Sequence, residues 1–434
     1  MSLNILPSTS VSQPVSFEEW TGGRRIQSIG TNAGSVALPF QSWRNFKEAF
    51  APELVYRAVN ESPVRVLTCL DPFGGSGTTA LACQFLAVKP ITIEVNPYLA
   101  DLIESKLTIY EIRELARDFA SLVRTANKSK PNPQSFFSEA PPTFIEPGMN
   151  GRWIFDQPVA QRLTSYVKAL QELSNPRSRR LFRALLGGVL INASNVVVSG
   201  KGRRYRRKWN ERRLTATDLD EAFCEAVENA IEDIMRFGDR AERTFKIFRG
   251  DARKMIRHVK SVDLSVFSPP YPNSFDYTDV YNVELWALRY LTRSIDNRRL
   301  RNATLTSHVQ VKRSYAPPPE GSSLLRKVTS QLTKRRADLW NRDIPEMVGG
   351  YFADMSHILN SIGARLTQGG QIWMVVGDSS YAEVRIPVAS ILAQLAPLSN
   401  LKVVRKEPFR SMRSSAQQGG QRSLDESLVI LSRP

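Results

Sequence analysis

The chain has 434 residues, 42% of them hydrophobic, with 59 Lys and Arg against 42 Asp and Glu, for a formal net charge of +17. Apolar content at this level supports a full core, built as one large domain with an insertion or as two domains. Positive charge on this scale points to a polyanionic partner, nucleic acid above all, and away from a small acidic ligand.

Cys69, Cys83 and Cys224 are scattered and form no CxxC, which argues against a zinc ribbon and against a disulfide framework. The three histidines, His258, His308 and His357, suggest no metal cluster. Residues 1–16 are polar and rich in Pro and Ser, without the basic-then-apolar layout of a leader. No run reaches the length of a membrane span. A soluble, cytoplasmic protein is the expectation, with no membrane partner.

Residues 1–35 read as an irregular arm. Residues 43–59 read as one or two helices, with Pro52 in a first turn and Trp43, Phe46 and Phe50 facing inward. A β-type run over 64–70 then leads into Asp71-Pro72-Phe73-Gly74-Gly75-Ser76-Gly77-Thr78-Thr79-Ala80, and a helix-type run follows over 80–86. Strand, Gly-rich turn and helix is how an α/β sheet builds a nucleotide-type site. The glycines permit the turn and the close approach of a ligand, and the helix N-terminus offers unpaired N–H groups. A second β-type run, 91–93, ends at Glu94, an acid spaced to take ribose hydroxyls. By itself the stretch also fits the G-x-G-x-x-A pattern of NAD or FAD enzymes, or a bare turn with no ligand.

A helix is expected over 97–113. Residues 128–151 are rich in Pro, Ser and Asn and read as a linker. Helical spacing returns over 153–200, divided at Pro176, and again over 217–237 with Thr217 or Asp218 as the cap. Within this region lies a basic stretch, Lys201, Arg203, Arg204, Arg206, Arg207 and Lys208, interleaved with Tyr205 and Trp209. Arginines alternating with aromatic rings suit phosphate contact plus stacking, so this loop is the candidate nucleic-acid contact.

Residues 245–248 read as a strand ending at Gly250-Asp251-Ala252. An acid there faces the ligand crevice, or caps the helix that follows. The strand 262–267 leads into Ser268-Pro269-Pro270-Tyr271. Residues 280–291 read as a helix, 289–339 as basic and irregular, and 351–366 as an amphipathic helix. A buried strand over 371–378, a helix over 386–395 and strands over 401–408 and 427–431 complete a mostly parallel sheet with an antiparallel pair at its end.

The Asp71–Ala80 stretch and Ser268–Tyr271 together resemble the S-adenosylmethionine-dependent DNA amino-methyltransferases, whose motifs take the forms DPFxGSGTT and [DNS]PP[YF]. The likeness extends to Glu94-Val95-Asn96-Pro97, to Gly250-Asp251-Ala252, and to the segment 46–55. It covers roughly the first 110 and last 190 residues. It implies a Rossmann-like methyltransferase sheet with helices on both faces, interrupted by an α-helical insertion. The units are then 1–127, the arm and first part of the methyltransferase domain; 128–243, linker and helical insertion with the basic loop; and 244–434, the remainder.

S-adenosyl-L-methionine is the implied cofactor. Phe50, Pro52, Asp71, Pro72, Phe73, Gly74, Gly75, Ser76, Gly77, Thr78, Glu94, Asn96, Asp251 and Ala252 would bind it, with Asp251 accepting from the adenine amino group. Ser268, Pro269, Pro270 and Tyr271 would be catalytic. The Ser268 hydroxyl and Pro269 carbonyl would take the amino protons of a base drawn out of the duplex, and Tyr271 would stack on it. Serine at 268 is similar to the cytosine-N4 branch; adenine N6 is the alternative. DNA is the implied partner in a modification or restriction role, which leaves a companion endonuclease open. An RNA amino-methyltransferase and a non-catalytic DNA-binding protein that keeps the fold are the competing readings. Against the first, no RNA-binding module is recognisable. Against the second, both motifs are intact. In the familiar arrangements the recognition segment lies between other motifs, so which insertion reads sequence stays open.

Overall fold

The computed structural model describes residues 13–26, 30, 32, 34–44, 49–199, 202–273, 275–413 and 423–434. Phe46 and Lys201 lie outside the described residues. In chain order the elements are α1 (Phe17–Thr21), α2 (Glu53–Asn60), β1 (Thr68–Asp71), α3 (Thr78–Phe85), β2 (Lys89–Glu94), α4 (Pro97–Leu107), α5 (Ile112–Lys128), α6 (Pro133–Phe136), α7 (Gln157–Glu172), α8 (Pro176–Val189), β3 (Val196–Ser199), β4 (Gly202–Tyr205), α9 (Ala216–Phe237), β5 (Lys246–Arg249), α10 (Ala252–Met255) and β6 (Val262–Phe267). Then come α11 (Tyr277–Val280), α12 (Asn282–Ala287), α13 (Ser294–Ala303), α14 (Ser323–Lys334), α15 (Ile344–Gly363), β7 (Leu366–Gly377), β8 (Ser379–Tyr381), β9 (Val384–Ile386), α16 (Val388–Leu395), β10 (Lys402–Arg413) and β11 (Ser423–Ser432).

Seven strands form one sheet in the order β10-β11-β7-β6-β1-β2-β5. The pairs from β5 through β7 are parallel, and β11 adds antiparallel to β7 and to β10. Side chains alternate between two apolar layers, as the two-residue period of a strand requires. Trp373 and Val375 join one layer; Ile372, Met374 and Val376 join the other. The second layer holds α15 and α16. The first holds α3 and α4 and runs on without a break into α5, α7, α8 and α9. This is the α/β sheet with helices on both faces that the sequence led us to expect.

Local differences from that expectation have physical causes. The arm contains α1, closed by a capping box between Ser16 and Glu19 and stacked through Trp20 on Phe85 with ring centroids 4.6 Å apart. Helix α2 starts only at Glu53, with Pro52 at the cap, so no helix begins at residue 43. The helix expected over 97–113 ends at Leu107, where Thr108 turns extended, and α5 begins afresh. Residues 128–151, expected as a linker, hold α6 and bury Phe137 and Phe144. The cap of α9 is Thr215, because its hydroxyl and the Asp218 carboxylate bond each other's backbone N–H. Residues 289–339 contain α13 and α14. The first has no buried residue and therefore no apolar period to betray it.

Candidate active site

Strands β1 and β6 are parallel neighbours, with Leu70 opposite Ser265. The loops that follow them, at Asp71 and at Ser268, therefore leave the same edge of the sheet side by side. The chain has by then gone outward from β1 through β2 to β5 and returned to place β6 on the other flank of β1. Such a reversal of strand order leaves a crevice at the carboxyl ends of the strands. Here it is a cavity of about 440 Å³.

Twelve residues expected at a cofactor border this cavity: Phe50, Asp71, Pro72, Phe73, Gly74, Gly75, Ser76, Thr78, Glu94, Asn96, Asp251 and Ala252. Ser268, Pro269, Pro270 and Tyr271 border it too. Pro52 and Gly77 do not: Pro52 caps α2, and Gly77 turns the chain into α3 at φ 84°. The need for glycine at 74 comes from the protein itself. A Cβ there would lie 2.4 Å from Thr92 Cγ2 and 2.8 Å from Ile103 Cδ1, so the loop presses on β2 and α4.

The polar groups are held in place. Asp71 accepts the Phe73 N–H at 2.9 Å. Glu94 accepts the N–H of Gly75 at 2.8 Å and of Asn96 at 2.7 Å, which fastens the glycine loop to the end of β2. Asn96 spends its side-chain oxygen on capping α4. Asp251 caps α10 and is gripped by the Arg253 guanidinium at 2.8–3.1 Å. Ser268 donates to the Tyr271 hydroxyl at 3.3 Å, and Tyr271 donates to Glu426 Oε1 at 3.0 Å.

No protein-family model matches the chain. It is similar along almost its whole length to the type II methyltransferase M.BsoBI of Geobacillus stearothermophilus, with 25% identity over 470 aligned positions, 96% of this chain and 89% of the relative. It is likewise similar to the type II methyltransferase M.AvaI of Nostoc sp., at 24% identity over 448 positions, 95% of this chain and 89% of the relative. Both relatives are type II methyltransferases, and a likeness along almost the whole length supports an S-adenosylmethionine-dependent DNA methyltransferase family for this chain. Among solved structures, TrmN from Thermus thermophilus aligns over 91% of this chain and 52% of its own, with 9% identity and a TM-score of 0.31. The glycopeptide N-methyltransferase MtfA, in complex with S-adenosylmethionine, aligns over 88% of this chain and 93% of its own, with 9% identity and a TM-score of 0.28. Likenesses this slight bear on neither fold nor function.

The cavity suits a cationic cofactor. Burial pushes the Asp71 carboxyl up to about 7, against the Phe73 N–H that favours its ionised form. Burial also pushes Glu94 up to about 7, helped by the nearby Asp71 charge and opposed by its backbone donors. Two carboxyls held near neutrality in one pocket would gain from a positive partner, which a sulfonium or an α-ammonium supplies. Beneath the glycine loop, Lys106 is fully buried. Its ammonium donates to the Ser76 carbonyl at 2.8 Å and to Gln41 at 3.2 Å, and burial pulls its pKa down to about 7.

Several other wall residues of the cavity carry little signal in the sequence. Glu426 and Asp378 come from β11 and the end of β7, and His308 from the segment after α13. Burial holds His308 down to about 4, so it stays neutral at ordinary pH. Glu426 sits in an ordinary strand pattern and gave no local signal. Asp378 follows a buried strand, and that position was the available clue.

The basic stretch is part hairpin and part loop: Arg203 and Arg204 lie on β4, whereas Arg206, Arg207 and Lys208 follow it in a turn. Strands β3 and β4 pair from Val196 with Tyr205 to Ser199 with Gly202. The hairpin lies outside the cavity, but β4 packs on α11, whose Thr278 borders it. Arg203, Arg204 and Arg207 are exposed. Arg206 is committed to the backbone, donating to the carbonyls of Ile191 at 2.8 Å and Ser194 at 3.1 Å. Lys208 pairs with Glu211 at 3.1 Å.

Proposed function

We propose that this protein methylates an exocyclic amine of a DNA base drawn into the cavity, cytosine N4 in the first instance. One observation carries the reading: the glycine loop and Ser268-Pro269-Pro270-Tyr271 wall the same cavity from adjacent strands. S-adenosylmethionine, when bound, supplies an electrophilic methyl group on a sulfonium. The residues proposed to hold it are those of the glycine loop, with Phe50, Glu94, Asn96, Asp251 and Ala252.

An exocyclic base amine is a weak nucleophile because its lone pair is delocalised into the ring. Acceptors that bind its two hydrogens pull the nitrogen toward sp3 geometry and free that pair. In our reading the Ser268 hydroxyl oxygen and the Pro269 carbonyl are those acceptors. The hydrogen-bond chain supports this role for Ser268. Its proton is engaged by Tyr271, whose proton is engaged by Glu426, which leaves the lone pairs of Ser268 to accept. Two successive prolines lack N–H groups and have fixed φ, so the backbone carbonyls are rigid. The Tyr271 ring, tethered through its hydroxyl, offers a face for the base. A companion endonuclease is a proposed partner by analogy with type II systems.

Incubation with plasmid DNA and S-adenosylmethionine, followed by nucleoside mass spectrometry, tests the reading. N4-methylcytosine is expected; N6-methyladenine would move the base assignment to adenine. Ser268→Ala should lower methyl transfer and leave cofactor binding intact. Methyl groups found only in tRNA or rRNA would sink the DNA half of the proposal.

A further inference from the structure

A second basic element, distant in sequence from the hairpin, reaches the cavity wall. Helix α13 has no buried residue; only Leu300 packs in part against the core. A helix polar nearly all round contributes little to a core, and charge contacts must hold it. They do. Arg301 binds Asp276 at 2.8 Å and Asp279 at 2.6 Å, which ties α13 to α11. Arg313 donates to the carbonyls of Arg301 at 3.0 Å and Thr304 at 3.2 Å, which closes the end of the helix. The C-terminal residue of the helix, Ala303, borders the cavity.

With that framework fixed, two arginines are left over. Arg298 and Arg299 are exposed and have no acidic partner among the described residues. Exposed Lys254, on α10, is in the same position, and it lines a shallow groove with Arg299. The groove shares Asp251 and Ala303 with the cavity of the candidate site. Helix α11 touches β4 and, through Arg301, α13, so a band of elements joins the hairpin to the helix.

We propose that Arg298 and Arg299, with Lys254, are phosphate contacts for the DNA strand that carries the target base. The band then runs from Arg203 and Arg204 on β4, past Thr278, to α13. A duplex laid along it has its backbone neutralised on one side of the extruded nucleotide by each element. Unpaired guanidinium groups on a rigidly posted, core-free helix suit phosphate oxygens, which they can engage bidentately. The proposal rests on the DNA reading above.

The experiment is a fluorescence anisotropy titration of the full chain with a labelled duplex oligonucleotide over a series of NaCl concentrations. Each phosphate contact contributes about 0.9 to the slope of log K against log salt. For Arg298→Ala with Arg299→Ala the slope should shrink by about 1.8, and affinity at about 0.1 M salt should fall by tenfold or more. Arg298→Lys with Arg299→Lys should restore most of the slope. Calorimetry should show unchanged S-adenosylmethionine binding, which certifies the fold. An unchanged slope in the alanine variant returns α13 to an ordinary solvated helix. A wild-type chain that binds S-adenosylmethionine but not duplex DNA, or that prefers duplex RNA, overturns the substrate reading and this surface with it.

Discussion

At the scale of single residues, the site is governed by buried carboxyls. Asp71 and Glu94 are both raised by burial to about 7. A raised folded pKa contributes stability below the unfolded value and gives it up as pH rises through about 7. The unliganded chain should therefore lose stability from these two groups between about pH 4 and pH 7. A cationic cofactor prefers the ionised carboxylates, so its affinity should be flat above pH 7 and weaken as pH falls below it. Calorimetric titration from pH 5.5 to 8.5 reads this directly, and an affinity constant across that range would refute it. Glu426 gives a second prediction. Glu426→Ala unties Tyr271 and should lower kcat by about ten- to a hundredfold, the worth of a hydrogen bond to a charged group, with cofactor Kd unmoved. Glu426→Gln keeps an acceptor for the Tyr271 hydroxyl and should recover much of the rate. Loss in Gln equal to that in Ala would mean that the negative charge matters more than the tether.

At the scale of elements, the glycine loop is shaped by what lies under it. Gly74→Ala drives a methyl group into Thr92 and Ile103, and overpacking of this kind costs about 1–3 kcal/mol. Gly74 also borders the cavity, so a displaced loop shifts the cavity wall. Gly74→Ala should thus lower the melting temperature and also weaken S-adenosylmethionine binding. Gly202→Ala, with nothing within 4 Å of the added carbon, is the control and should change neither. Thermal melts with and without cofactor decide the matter. The basic stretch likewise has two kinds of arginine. Arg206 holds the backbone of the preceding segment, so its removal would damage structure. The informative variant is Arg203→Ala, Arg204→Ala and Arg207→Ala together. It should bind duplex DNA more weakly with a flatter salt dependence, and an unaltered salt slope would remove the hairpin from the interface.

At the scale of the whole molecule, the question is why so much of the site was legible in one dimension. The glycine loop and Ser268-Pro269-Pro270-Tyr271 are local devices: a strand end, a turn chemistry and a helix start, each written in consecutive residues. Their order along an alternating β and α pattern sets an α/β sheet, and parallel β-α-β connection brings their loops to one edge. Glu94 and Asp251 follow from the same rule, as acids at strand ends. Those features the sequence determined by itself. Other features needed the chain to close. Glu426 reaches Tyr271 across 155 positions because β11 turns back antiparallel onto β7. Lys106 lies under the glycine loop because α4 packs beneath it. Helix α13 reaches the cavity wall at Ala303 with Arg301 pinning it to α11, a placement no local pattern encodes. Among basic residues, sequence could not separate Arg206, which supports a backbone, from Arg203, which faces water. The reason is general. Backbone propensity and turn chemistry act over a few residues and can be read locally, whereas burial and pairing depend on groups that only tertiary packing brings within reach.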